Sequence, residues 1–187
     1  RHAEEALDAA VASLDNKLGV DQLDLLWAQS DVKFRRNKNS EAVAHYKRLI
    51  GVLKTNPNNQ SLELVYANIG RISVIEGDFD AAEKWFKKAL DTDRKFFKPF
   101  GTGAYNTMIT ADLANVYYSQ GRLADAEKLS KENIKIIRDL QLNPEIIVTS
   151  KTDLKANYDL LFKIYSSQGK KKEANKAQLM SFQLGQF

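Results

Sequence analysis

A short sentence of residues recurs along the chain, and nothing else in it limits the possible folds so strongly. Tyr117-Tyr118-Ser119-Gln120-Gly121-Arg122-Leu123-Ala124-Asp125-Ala126 is answered by Tyr165-Ser166-Ser167-Gln168-Gly169-Lys170-Lys171-Lys172-Glu173-Ala174. An earlier copy reads Gly77-Asp78-Phe79-Asp80-Ala81-Ala82, and a degenerate one has Asn37 in the glycine place, then Ser40-Glu41-Ala42. In each copy an apolar helical pattern runs up to the Gly or Asn, and a second begins just after it. Glycine adopts a left-handed conformation at little cost, and asparagine is the next-best residue there. Such a residue ends a helix. Asp78 or Asp80 can then cap the next one by accepting from its free amides. The chain is therefore read as helix pairs joined by tight turns, with no strand pattern between them.

The composition agrees with a folded all-helical chain. Of 187 residues, 43% are hydrophobic and 28% charged, which is enough to build a core. The three prolines, Pro57, Pro99 and Pro144, lie outside the periodic helical stretches. The net charge of +4 is a mild lysine excess without a basic stripe interleaved with aromatics, so nucleic acid is not an expected partner. No apolar run approaches the ~20 residues needed to span a bilayer, and no membrane insertion is expected. The expected compartment is an aqueous one, cytoplasmic or, after loss of a signal sequence, extracytoplasmic. There is no cysteine, which excludes disulfides, thiolate metal sites and cysteine nucleophiles.

Three of the copies resemble tetratricopeptide repeats. Ile69, Gly70, Gly77, Ala82, Phe86 and Ala89 fill that family's positions in one unit, Leu113, Ala114, Tyr117, Gly121 and Ala126 in the next, and Leu161, Tyr165, Gly169 and Ala174 in the last. Ser130 and Asn133 replace the aromatic and the final alanine of the third unit, while Phe162 and Gln178 depart from the pattern in the last. These departures predict looser packing there and a terminal, capping role for the last pair. The resemblance implies an all-α, right-handed α-α superhelix, a solenoid of antiparallel helix pairs. Gly77 to Gly121 spans 44 residues and Gly121 to Gly169 spans 48, against a family period of about 34. Periods this long resemble the repeats of kinesin light chains. One solenoid domain is expected over 1–187: a helix or partial repeat at 1–19, a degenerate repeat at 20–58, repeats at 61–96 and 105–141, and a capping repeat at 150–187.

Chemistry-bearing constellations are sparse. His2 and His45 are the only histidines, and Glu41 lies one helical turn before His45. Two such residues can share a face, but a third ligand is lacking. The pair is read as a surface contact, so no metal, no cofactor and no catalytic residue is assigned, and the chain is not read as an enzyme. Phe96, Phe97 and Phe100, in a long connector, are read as a plug between pairs, with a hydrophobic contact for a partner as the alternative. Trp85, Phe86 and Tyr165 are read as core.

The expected function is that of a scaffold that binds a protein or peptide along its concave face. First helices line that face in a solenoid. The register places Leu64, Ala67, Asn68, Arg71 and Ile75 there, then Met108, Ala111, Asp112, Asn115, Tyr118 and Ser119, then Asp159, Lys163 and Ser166, with Asp24, Trp27, Asp31 and Arg35 from the degenerate unit. The proposed contacts are Asn68, Arg71, Asp112, Asn115, Tyr118 and Lys163. An amide side chain both donates and accepts, so Asn68 and Asn115 suit a peptide backbone. Arg71 and Lys163 suit carboxylates. Two alternatives stand beside this one: a regulatory or sensor segment of a larger signalling protein, or a module that assembles into a homo-oligomer.

Overall fold

The computed structural model describes residues 20–55, 62–96, 103–141 and 150–185. These form α1 (Val20–Arg35), α2 (Asn39–Leu53), α3 (Leu62–Ile75), α4 (Phe79–Phe96), α5 (Gly103–Ser119), α6 (Leu123–Gln141), α7 (Ser150–Ser167) and α8 (Lys171–Leu184). Among the described residues there is no strand. The expected helix before residue 20 lies outside the described residues, as do Phe97, Phe100 and Gly101-Thr102; Phe96 closes α4, and Gly103 opens α5.

All four turns are the same object. Asn37, Gly77, Gly121 and Gly169 have φ of 57°, 76°, 76° and 70°. After each of them the next amide reaches back to the last turn of the first helix: Lys38 to the Lys33 carbonyl, Asp78 to Ser73, Arg122 to Tyr117 and Lys170 to Tyr165, at 2.9 Å in every case. This closure satisfies carbonyls that the helix end leaves open. The residue after the turn then accepts from the amide of Ala42, Ala82, Ala126 or Ala174 and starts the second helix. At one turn a side chain adds a cap, with Asp78 accepting from the Ala81 amide at 2.9 Å.

Those four alanines are buried because the two helices of a pair meet there. Successive pairs stack through the second helix of one and the first helix of the next, α2 on α3, α4 on α5 and α6 on α7. First helices are thus enclosed on several sides. In α5, Thr107, Ile109, Thr110, Leu113, Ala114, Val116 and Tyr117 are all buried, whereas α6 buries one stripe from Ala126 to Ile137. Neighbouring first helices also touch, α3 with α5 and α5 with α7, which makes theirs the inner face of the curve.

Three pairs solve the same contact differently. Phe86 is fully buried against Gly70, where an added Cβ would lie 2.8 Å from the ring. The third pair opposes Ala114 to Ser130, both buried, and the last opposes a half-buried Phe162 to an exposed Gln178. Asn133 is fully buried, and its Nδ2 donates to the Thr107 carbonyl of its own pair at 2.8 Å and to Asn157 Oδ1 of the next pair at 3.3 Å. A polar cross-link replaces the apolar contact.

Two seams carry a matching ionic staple. Glu83 receives Lys87 of its own helix at 2.6 Å and Arg122 of the next turn at 2.8 Å, with Arg122 over the Tyr117 ring at 4.0 Å. Glu127, 44 residues on, receives Lys131 at 2.6 Å, Lys170 at 3.6 Å and the Tyr165 hydroxyl at 3.2 Å. Burial alone would push the Glu83 carboxyl up, but hydrogen bonds from Lys87, Arg122 and Gln120 outweigh it and bring it to about 2.

The Gly70–Phe86 contact generates a test. Replacing a helical glycine by alanine gains about 0.5–1 kcal/mol of helix propensity. Overpacking a full core costs about 1–3 kcal/mol. Gly70→Ala is expected to lower the denaturation midpoint, because the ring it meets is fully buried. Adding Phe86→Leu makes room for the methyl, so the double variant should be more stable than the sum of the two singles. Strict additivity in urea denaturation would show that the contact is not what limits this position.

Candidate functional site

The inner face is lined by a polar ladder that crosses three helices of three successive pairs and reaches a fourth. Tyr46 of α2 is fully buried, and its hydroxyl accepts from Asn68 Nδ2 of α3 at 3.2 Å. Asn68 Oδ1 accepts from Arg71 Nη1 at 3.2 Å. Arg71 Nε then donates to Asp112 Oδ2 of α5 at 2.8 Å. Beyond it, Thr107 Oγ1 of α5 donates to Asp153 Oδ2 of α7 at 3.3 Å. The three-residue spacing of Asn68 and Arg71 puts them on one face of α3, and the stacking of α3 on α5 brings Asp112 opposite.

Burial sets the electrostatics. It pushes the Tyr46 phenol up to about 12, with Asp31 adding to the effect. Burial also raises the Asp112 carboxyl, and Asp153 adds repulsion; the Arg71 guanidinium pulls the other way without cancelling the rise. Asp153 is raised by burial too, against the hydrogen bond from Thr107. Of these two reluctant carboxylates, Asp112 is held by the Arg71 guanidinium and Asp153 by the Thr107 hydroxyl.

The structure sorts the expected contact residues. Asn68, Arg71, Asp112 and Tyr118 are half-buried on the inner face; Asn115 and Lys163 are exposed. Asn115 Nδ2 donates back to the Ala111 carbonyl at 2.9 Å, which leaves its Oδ1 outward. The Tyr118 hydroxyl lies 3.5 Å from Ser167 Oγ of α7. Two positions are corrected. Ala67 is fully buried, because it sits one residue, about 100°, from Asn68 and turns into the pair. Asp159 is held by Ser181 of α8 and by Lys155 at 2.7 Å, so its carboxylate serves the fourth pair and not the groove. Trp27 packs edge-on against Tyr46 at 6.3 Å, and Asp31 pairs with Arg35 at 2.7 Å. The side chain of Asp24 lies outside the described residues.

Sequence reasoning missed Tyr46, Thr107 and Asp153. Tyr46 lies in the core, and its hydroxyl emerges at the ladder. Glu41, one helical turn before His45, bridges to Lys33 of α1 at 3.0 Å. Among the described residues no group of three His, Cys, Asp or Glu side chains could hold a metal ion, and no helix is long and apolar enough to cross a membrane.

Comparison with known proteins bears on this architecture. The tetratricopeptide-repeat family matches at residues 64–96 and again at 108–140. No curated protein matches the sequence. Among solved structures, BtubC (BKLC) from P. vanneervenii is 17% identical with a TM-score of 0.80, over 100% of this chain and 75% of that one. The nearly identical TPR-like repeats of a kinesin-light-chain-type protein from Podosopora anserina give 15% identity and a TM-score of 0.72, over 98% and 85%. PilW, a type IV pilus biogenesis factor, gives 20% and 0.65, over 95% of this chain and 66% of that one. At these identities the likeness is one of fold.

The ladder predicts a titration. With Arg71→Ala the ionised Asp112 loses the cation that favours it, so its pKa should rise further above the ordinary aspartate value. A carboxyl raised in the folded state weakens the fold at neutral pH, and that cost disappears as pH falls through the folded pKa. Side-chain carboxyl NMR across an acid titration reads the shift directly; an unchanged Asp112 midpoint would show that the pair is not formed in solution.

Proposed function

The chain belongs to the tetratricopeptide-repeat family, and from that premise we propose that its concave groove holds an extended segment of a protein partner. Repeats of this fold make a protein-interaction scaffold, and the groove is the finer reading. The observation that carries it is the polar ladder. A face meant only for packing would be apolar, yet here Asn68, Arg71 and Asp112 form a hydrogen-bonded row along the inner helices. Asn68 uses both its amide nitrogen and its oxygen within the protein. It and the Arg71–Asp112 pair therefore act as a rigid floor, and direct grip falls to Asn115, Tyr118 and Lys163 beside it. A preorganised floor lowers the ordering cost of binding.

A second reading, self-assembly, has its own observation. Phe182 is 61% exposed and Leu179 is 56% exposed on α8. By register from Gly169, Phe182 stands where Leu90 and Ile134 stand in α4 and α6, and those are 7% and 8% exposed under the next pair. The last described pair thus offers an apolar surface where the earlier ones meet a neighbour.

Two measurements separate these readings. Asn115→Ala with Lys163→Ala should keep the melting temperature and lose a partner captured by the wild-type chain in affinity pull-down, since neither residue is part of the ladder. A folded double variant that still captures the same partner would refute the groove. For the second reading, light scattering should show a mass that rises with concentration and returns to monomer with Phe182→Ser; a constant monomer mass in the wild type removes it.

A further inference from the structure

The outer face carries a cleft that the groove does not explain. It has a volume of about 370 Å³ and lies between α6 and α8, with α7 beneath. Its floor is Tyr158, Leu161 and Tyr165, and its walls include Ile134 and Ala177. Comparison of the pairs shows why it is open. Counting from the turn residue, Trp85, Leu129 and Ala177 are equivalent, each eight residues after its glycine. Tyr66, Thr110 and Tyr158 are likewise equivalent, each eleven before it. In the second pair the Trp85 ring stacks on Tyr66 at 5.7 Å and 27°, with Lys88 above both rings. In the third, a half-buried Leu129 occupies the place. In the fourth, Tyr158 is kept but its stacking partner is a methyl group. The cleft is the room that the indole takes up in the second pair.

The floor is held ready for an occupant. Arg138 Nη2 donates to the Tyr158 hydroxyl at 2.7 Å, and Glu127 accepts from the Tyr165 hydroxyl at 3.2 Å. Neither ring can fold over to close the gap without breaking its bond. The rim is cationic: Lys131, Arg138 and Lys176 line it against one carboxylate, Glu173. Lys131 is already engaged with Glu127, so Arg138 and Lys176 are the cations that face a newcomer. An apolar slot with a tyrosine face and a basic rim is complementary to an aromatic ring beside carboxylates.

We propose that this outer cleft docks an acidic peptide segment of a partner protein through one aromatic side chain, which takes the place that Trp85 fills in the second pair. The aromatic ring stacks on Tyr158 between Ile134 and Ala177. Carboxylates on either side of it meet Arg138 and Lys176. The site is separate from the concave groove, and its occupation requires nothing of Asn115 or Lys163.

The probe is a fluorescein-labelled synthetic peptide with one phenylalanine between two pairs of glutamates, titrated with the full chain and followed by anisotropy. Replacing its phenylalanine by alanine, or its glutamates by lysines, should weaken binding by about tenfold or more. On the protein, Ala177→Leu copies the residue of the third pair and fills the slot. It should weaken binding by about tenfold or more while the melting temperature holds or rises. Lys176→Glu, which leaves the core untouched, should weaken it too. Asn115→Ala with Lys163→Ala should bind this peptide as the wild type does, so failure of the groove reading leaves this one standing. The proposal is overturned if the wild type shows no binding below about 1 mM, if folded Ala177→Leu binds unchanged, or if the lysine peptide binds equally well. It is also overturned if the groove double variant loses the peptide, or if sedimentation shows the cleft filled by a second copy that Ala177→Leu releases.

Discussion

The contacts within each described helix pair depend on one backbone constraint, the left-handed residue that closes each first helix. With φ between 57° and 76° at Asn37, Gly77, Gly121 and Gly169, the chain reverses in a few residues and sends the second helix back along the first. The reversal fixes which residues meet. Five positions later comes the alanine of the close contact, and eight positions later the residue that faces the outer seam. Because the turn repeats with the same hydrogen bonds, equivalent side chains land in equivalent places. The Glu83 and Glu127 staples are one result, and the Trp85–Leu129–Ala177 series is another.

Much of this was legible in the sequence because it depends on local geometry. A glycine followed five residues later by alanine states both the turn and the contact. What was less legible lies across helices. Arg71 and Asp112 are 41 residues apart, and whether they pair depends on the angle at which α3 lies on α5, which no local pattern encodes. Ala67 was misplaced for a related reason: one residue of helix is about 100° of rotation, enough to move a side chain from groove to core. Asp159 was misplaced because its partner, Ser181, belongs to a helix whose packing departs from the repeat pattern. Asn133 shows the limit of a family pattern as a packing rule. Its side chain breaks the pattern, yet it ties two pairs together where the pattern would have had an alanine.

The two faces of the solenoid follow different physics. First helices are enclosed by their partners and their neighbours, so a polar group that appears among them must be matched, and the ladder from Tyr46 to Asp112 is that matching. Buried polar groups left unpaired are costly, which makes the ladder rigid and keeps its members out of easy reach of a ligand. Second helices face solvent along one side and are free to vary there. The series of tryptophan, leucine and alanine at one equivalent position is a variation of that kind.

That freedom explains why an opening can exist on the outer face without cost to the fold. Removing a large side chain from a closed core leaves a cavity that destabilises in proportion to its volume. At the outer seam the same removal leaves a groove that water can enter, so the loss is smaller. What remains is a tyrosine face held open by its own hydrogen bond, next to cations that the staple does not neutralise. A repeat protein can therefore gain a second surface by deleting a side chain from one copy of a motif that its other copies keep filled. Here the filled copies are visible in the same chain, and they state the size and chemistry of what the empty one can hold.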